Sequence, residues 1–207
     1  MRKTDLRFDE LNSLSRETYE EIFDVMPISE DQKTDRVLIA MALEDKFLEI
    51  LSLVELRRKE NKPWLGDVIE LFMLAFLDVA AHRIDDDGIR AKAERFGQEV
   101  GLSTYTNIDD EYYTSADRAI NMAATESNAI MCYGECADAL AEGKTMKTWM
   151  TTIDGRERDW HGEVNGVTIP IDEPFEVDGE LLMYPLDDSL GAGAGNIANC
   201  RCVAEYT

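Results

Sequence analysis

The fold of this 207-residue chain is decided by the stretch Lys147-Thr-Trp149-Met-Thr-Thr-Ile-Asp154-Gly-Arg156-Glu-Arg158-Asp-Trp-His161. Its first seven residues are rich in β-branched and aromatic side chains, which predicts a strand. The polar side chains that follow are of the types that build metal sites, catalytic sites or ion-pair networks. Cys200 and Cys202 add two closely spaced thiols to this set further along the chain.

The sequence before Gly143 has a different pattern, because its apolar residues recur mostly at intervals of three and four. This spacing is typical of amphipathic helices. The predicted helices cover about residues 4–26, 32–60, 65–83, 88–100 and 109–142. Ser29 is predicted to cap the second helix, and the run 101–104 is predicted to end the fourth.

After Gly143 short extended pieces alternate with Gly and Pro turns, which predicts short strands and loops. The predicted strands cover residues 147–153, 167–170, 175–177, 181–184 and 201–206, with a flexible loop at 191–195. We therefore predict an α+β fold. An N-terminal helical bundle, residues 1–108, is followed by a domain of residues 109–207, in which a long helix (109–142) packs on a small β-rich region (144–207).

The bulk charge limits the possible partners. There are 43 acidic and 21 basic residues, and the net charge is -22. A surface this acidic repels phosphates, so we expect no direct DNA binding by the isolated chain, and any docking partner should be basic. No signal peptide and no apolar run of about 18–20 residues is present, which predicts a soluble protein without a membrane partner.

Motifs in the second half carry a resemblance to a known family. They occur in a fixed order: Arg118-Ala-Ile-Asn-Met-Ala-Ala-Thr-Glu126-Ser-Asn128, Gly143, Lys147-Thr-Trp149-Met-Thr151, the Asp154, Arg156, Arg158 and His161 set, Gly166, Phe175, Tyr184-Pro185 and Asn199-Cys200-Arg201-Cys202. This order resembles the phage Mu F-like head morphogenesis, or minor head protein, family. The resemblance extends over residues 115–206.

The resemblance implies a structural protein of a tailed phage or prophage rather than an enzyme. It implies a minor head or capsid protein that is associated with the portal and head during assembly, packaging or genome delivery. Its expected partners are portal or capsid proteins, docked on the acidic helical half. The protein is expected in the virion head and, during assembly, in the host cytoplasm. A helical adaptor with a coincidental resemblance is the alternative.

His161, Cys200 and Cys202 are candidate zinc ligands, although no cofactor is expected in the main interpretation. Some relatives have Cys-x-x-Cys at the positions of Arg158 and His161, which with Cys-x-Cys would supply four zinc ligands. Arg158 is not a zinc ligand, so a fourth ligand would have to come from Asp154, Cys132 or Cys136. The alternative function is a metal-dependent hydrolase or toxin-like enzyme that uses His161, Cys200 and Cys202.

A buried ion-pair network is the favoured interpretation of the polar motif. In this hypothesis Glu126, Asp154, Arg156, Arg158 and His161 tie the long helix to the strand region. His161 would then hydrogen-bond Asp154 or Glu126, and the two cysteines would be small buried side chains. The full set of predicted motif residues is Arg118, Glu126, Trp149, Asp154, Arg156, Arg158, His161, Asn199, Cys200, Arg201 and Cys202.

An enzymatic site would instead use His161 as a general base, or Glu126 and Asp154 as paired carboxylates. The sequence contains neither a Gly-rich phosphate loop nor a nucleophile elbow that would support such a site. We therefore predict that the motif has no catalytic residue.

Overall fold

A computed structural model of the protein describes residues 8–207, with side chains from residue 15 onward. Its helical half contains α1 (Phe8–Asp24), α2 (Glu30–Lys59), α3 (Leu65–Ala80), α4 (Asp87–Thr106) and α5 (Ala116–Ala141). These five helices and the few short antiparallel strands that follow them confirm the predicted order of a helical bundle, a long helix and a β-rich region, and the α+β class. The predicted start of the first helix at residue 4 lies outside the described residues.

The N-termini of α2 and α4 are fixed by side-chain caps. The Ser29 hydroxyl accepts a hydrogen bond from the Gln32 backbone N–H at 3.3 Å, and the Gln32 side chain accepts one from the Ser29 N–H at 3.0 Å. This reciprocal pair is a capping box, and it confirms the predicted cap. Asp86 caps α4 by accepting from the Ile89 N–H at 2.9 Å, so the acidic run at 85–87 is a helix terminus.

Two predicted helix boundaries are wrong. The α4 helix continues through the predicted stop at 101–104. Gly101 faces Ile69 of α3, where an added Cβ atom would lie 2.5 Å from the Ile69 side chain. This glycine permits helix packing rather than ending the helix. The predicted long helix begins later than residue 109: Glu111–Thr114 form a 3-10 turn, and Ser115 caps α5 at the Arg118 N–H.

The β region is a three-stranded antiparallel sheet beside a hairpin. The central strand β1 (Met146–Met150) lies between β2 (Thr168–Pro170) and β5 (Val203–Tyr206). The strands β3 (Phe175–Val177) and β4 (Glu180–Leu182) form the hairpin. Two short helices, α6 (Asp159–Glu163) and α7 (Ala194–Ile197), replace predicted loop, and α7 takes up part of the segment predicted as a flexible loop.

One hydrophobic core joins the helices to the sheet. Arg36 of α2 is fully buried and donates to Asn128 of α5 at 2.8 Å and to Glu135 of α5 at 3.0 and 3.1 Å. The Asn128 amide in turn donates to the carbonyl oxygens of Cys200 and Cys202, at 3.3 and 3.1 Å. The α5 helix is therefore fixed on both sides, and the domain boundary at residue 108 stays a prediction. Among residues 8–207, no helix is long and apolar enough to cross a membrane.

Candidate functional site

The structure brings His161, Cys200 and Cys202 together in the interior. His161 is on α6, and both cysteines lie on the segment that leads into β5. The His161 Nδ1 atom is 3.7 Å from the Cys200 Sγ and 3.4 Å from the Cys202 Sγ. All three side chains are buried, with exposed fractions of 2%, 3% and 4%. Each side chain offers one ligand atom, and the three atoms lie within 4.8 Å of one another.

The hydrogen bonds of Asn196 determine which ring nitrogen of His161 carries a proton. The Asn196 Oδ1 atom accepts from the Trp160 Nε1–H at 2.8 Å, and the Nδ2 atom donates to the Val177 carbonyl and to Glu180. Since an indole nitrogen can only donate, the amide orientation is fixed. The His161 Nε2 atom, 3.1 Å from the same Oδ1, must therefore be the donor. In the neutral ring this leaves the Nδ1 lone pair directed at the two thiols.

The two thiols differ in acidity. The hydrogen bond from the Cys200 thiol, with a contribution from His161, lowers the pKa of Cys202 to about 5. The same hydrogen bond and burial raise the pKa of Cys200 well above its usual value. These opposite shifts make Cys202 the more acidic thiol of the pair. Burial raises the pKa of the neighbouring Cys132 thiol to about 12, so Cys132 stays a neutral thiol.

The donor set fits a zinc ion. Zinc bonds of about 2.3 Å to sulfur and about 2.0–2.1 Å to nitrogen put tetrahedral ligand atoms roughly 3.5–3.8 Å apart. The measured distances of 3.4 and 3.7 Å are close to this range. A histidine ligand also commonly donates its second N–H to an acceptor, as His161 does to Asn196. Within the described residues the group has three members, and neither Cys132, Cys136 nor Asp154 joins it as a fourth.

Asp154 is the centre of a separate ion-pair network. Its carboxylate accepts two hydrogen bonds from Arg201, at 2.5 and 2.9 Å, and two from the Arg156 side chain, at 3.1 and 2.8 Å. Hydrogen bonds from Arg201, followed by those from Arg156, hold the pKa of Asp154 well below its usual value. Arg158 donates to the Ala198 carbonyl at 2.6 Å. These contacts tie the loop after β1 to the segment 198–201.

Two members of the predicted network do not join it. His161 bonds to Asn196 and the thiols rather than to Asp154 or Glu126. Glu126 makes no hydrogen bond or ion pair with any residue from 15 onward, and it lines a cavity beside α4. The motif therefore separates into three places: the His–Cys group, the Asp154 network and the Glu126 cavity.

Trp149 supports the His–Cys group from β1. It is fully buried, and its ring meets the His161 ring edge-on at a centroid distance of 5.7 Å. Its Nε1–H donates to the Thr151 hydroxyl at 3.1 Å, and that hydroxyl donates to the His161 carbonyl at 2.6 Å. These bonds fix the position of His161 from the backbone side.

The remaining predicted residues have other positions. Arg118 lies at the start of α5 and donates to Thr104, to Ser103 and to the Tyr113 carbonyl, so it ties α5 to α4. Asn199 has a positive φ of 56°, and its backbone N–H donates to Thr125 of α5. This left-handed residue turns the chain so that Cys200 enters the core.

Three residues of the site were not predicted from the sequence, namely Asn196, Asn128 and Thr151. Asn128 and Thr151 are within the quoted motifs, but nothing in their spacing indicates that they hold the cysteine segment and His161. Asn196 follows a run of Gly and Ala, which conceals a buried polar residue in what resembles a loop.

The comparisons with known proteins identify a family. The family described as Phage Mu protein F like protein matches residues 97–205, which is more than half of the 207-residue chain. The match starts within α4 and includes α5, the Asp154 network and the His–Cys group. No curated protein and no solved structure gives a significant match.

Proposed function

This chain belongs to the phage Mu protein F-like family, and we propose that it is a structural protein of the phage head. In this proposal it is a minor head protein that associates with portal or capsid proteins during assembly, packaging or genome delivery. It would be located in the virion head, after assembly in the host cytoplasm. The observation that carries the proposal is the family match over the segment that contains all the motif residues.

The burial of the motif supports a structural role rather than a catalytic one. The His161 ring and both thiols are at least 96% buried, and the His161 Nε2 already has a protein partner. The cleft that reaches this group from outside has a volume of about 20 Å³. A space of this size holds about one water molecule, so a macromolecular or drug-sized substrate does not fit.

The exposed acidic side chains supply the surface for a basic partner. On α1, Glu17 and Glu21 are exposed, and the net charge of the whole chain is -22. A surface with charges of one sign accelerates association with a partner of the opposite charge. Salt screens this attraction over about 8–10 Å. We therefore expect salt-sensitive binding to a portal or capsid protein through the helical half.

This docking proposal is tested by co-sedimentation of the full chain with purified portal rings at 50 and 300 mM salt. The double variant Glu17→Lys, Glu21→Lys should weaken binding at low salt several-fold more than the matched control Asp172→Lys, Glu173→Lys. Both pairs are exposed and change the charge equally. Equal binding by the two variants, or binding that high salt does not reduce, would contradict docking through α1.

A second proposal concerns zinc at His161, Cys200 and Cys202, and the Nδ1 lone pair directed at two thiols favours it. Bound there, zinc would supply a cross-link between α6 and the segment before β5. Zinc bound at a structural site contributes directly to folding. The three residues that would hold zinc also line the small cleft, together with Arg158 and Glu157.

Elemental analysis of protein purified without added metal tests this proposal. We expect one zinc per chain, which is lost in Cys200→Ser and Cys202→Ser but kept in the control Cys136→Ala. Asn196→Ala should weaken zinc binding about 10–100-fold, because His161 loses its outer partner. Wild-type protein without metal after growth in zinc-supplemented medium would refute the zinc site. Hydrolysis of model esters or peptides that depends on the metal would favour the enzymatic alternative.

A further inference from the structure

Glu126 is a motif residue that neither the His–Cys group nor the Asp154 network uses. It lies in the middle of α5 and is half-buried. It lines a cavity of about 170 Å³ between α4, α5 and the segment 197–199. For comparison, a protein cavity of roughly 150 Å³ can hold a benzene molecule. The cavity therefore has room for a small organic group next to the carboxylate.

The cavity has apolar walls and a polar rim. The walls come from Phe96 and Val100 of α4, Met122 of α5 and Ile197. The rim carries exposed amide, hydroxyl and carboxylate groups, namely those of Asn121, Asn199, Tyr112 and Glu99. Apolar walls beside a carboxylate fit a ligand with an aliphatic stem and a polar head.

The charged groups around Glu126 leave its carboxylate without a cation. Lys92, whose charge acts on Glu126, donates to the Leu186 carbonyl at 2.8 Å and pairs with Asp188 at 3.2 Å. Arg118 also lines the cavity, but its guanidinium donates to Thr104, Ser103 and the Tyr113 carbonyl.

The other charged side chains that act on Glu126 are acidic. Burial raises the pKa of Glu126 to about 7, Lys92 opposes this shift, and Asp188 and Glu99 add to it. A cation that entered the cavity would remove this penalty, because it would pair with the carboxylate where water is partly excluded.

We propose that this cavity binds an aliphatic ammonium or guanidinium group. The stem would lie on Phe96, Val100 and Met122, and the cationic head would reach Glu126. Such a group is presented by a lysine or arginine side chain of a basic partner protein, or by a free polyamine. This inference does not depend on the role in the phage head.

The test uses the full chain with n-butylammonium and n-butylguanidinium as probes and 1-butanol as the neutral isostere. The carboxyl carbon of Glu126 is followed by NMR between pH 5 and 9 in ¹³C-glutamate-labelled protein. Each cation should lower the pKa of Glu126 by one unit or more, and 1-butanol should leave it unchanged. No shift at 50 mM probe, or an equal shift with 1-butanol, would overturn the proposal.

Two variants locate the effect. In Glu126→Gln the probe-induced shifts of the Val100 and Met122 methyl signals should fall at least tenfold. The methyl shifts should remain unchanged in the control Glu94→Gln, which removes an exposed carboxylate from α4, close in sequence to Phe96. Undiminished methyl shifts in Glu126→Gln would overturn the role of the carboxylate. The wild-type titration is informative even if one variant folds poorly.

The source of the cation is decided by a second pair of probes. Putrescine represents a free polyamine, and Nα-acetyl-lysine N-methylamide represents a side chain that is carried by a peptide. Tighter binding of the lysine amide supports the cavity as a contact for a partner protein. Tighter binding of putrescine supports it as a polyamine site. Failure of both probes overturns the proposal.

Discussion

Asp154 accepts four side-chain hydrogen bonds from two arginines, and this concentration of charge holds the loop after β1 in place. The sequence motifs predicted Asp154 in an ion-pair network, and their spacing indicated Arg156 as a member. Arg201, which donates the shortest of the four bonds, is far away along the chain. Only folding brings it to Asp154, so spacing alone could not select it from the other arginines.

Asp154→Asn should lower the free energy of unfolding by about 2 kcal/mol at pH 7, because hydrogen bonds to a charged group are lost. Since the folded pKa of Asp154 lies below its unfolded value, its contribution is present above about pH 4. It is lost as the pH falls further. Urea unfolding at pH 7, 5 and 3 should show a narrower gap between wild type and variant at pH 3 than at pH 5 and 7.

The control for this experiment is Asp172→Asn, which removes an exposed carboxylate. Its free energy of unfolding should differ from wild type by less than about 0.5 kcal/mol at each pH. A gap between wild type and Asp154→Asn that stays constant from pH 7 to pH 3 would argue against the ion pair as its cause.

At the scale of elements, α3 and α4 pack at a distance that glycine sets. A Cβ atom on Gly97 would lie 2.6 Å from the Ile69 carbonyl oxygen and 3.1 Å from the Met73 nitrogen, both of which are backbone atoms. Helical periodicity predicted both helices, because it reports which side chains face a core. It does not report interhelical distance, so the glycine at 101 was taken for a helix stop. The sequence alone could not distinguish a contact glycine from a terminating one.

Gly97→Ala should lower the free energy of unfolding by about 2 kcal/mol, although alanine favours a helix by about 1 kcal/mol. The backbone of α3 must move to admit the new methyl group. The matched control is Gly66→Ala near the start of α3, where a Cβ would meet nothing within 4 Å. The control should be neutral or slightly stabilising in thermal or urea unfolding. A stabilised Gly97→Ala would show that α3 and α4 are not in close contact.

At the scale of the whole molecule, α5 belongs to both halves of the protein. Its Asn128 and Glu135 side chains hold Arg36 of α2, and the same Asn128 holds the backbone that carries the two cysteines. The order of helices and strands was predictable from periodicity and turn residues. This connection was not, since it joins polar residues about a hundred positions apart along the chain. Long-range polar contacts leave no periodic signal.

Arg36→Leu should lower the free energy of unfolding by about 4 kcal/mol, because it leaves the Glu135 charge without its partner. Helical circular dichroism and tryptophan fluorescence should change together in urea, for both wild type and variant, since one core is disrupted. Arg16→Leu, at an exposed pair with Glu20, should cost less than about 1 kcal/mol. Separate transitions for the two signals would instead support independent domains divided at residue 108.

The position of β1 between β2 and β5 has a consequence for synthesis on the ribosome. Trp149 and His161 emerge well before the segment that carries Cys200, Cys202 and β5, and their environment is incomplete until that segment arrives. Contacts between distant segments form late, and a nascent chain exposes apolar surface until they do. A polypeptide that ends before β5 would leave Trp149 and the Asn128 face of α5 uncovered. Chaperones and proteases recognise such exposed surfaces. We therefore expect a polypeptide that ends before β5 to be degraded faster than the complete one.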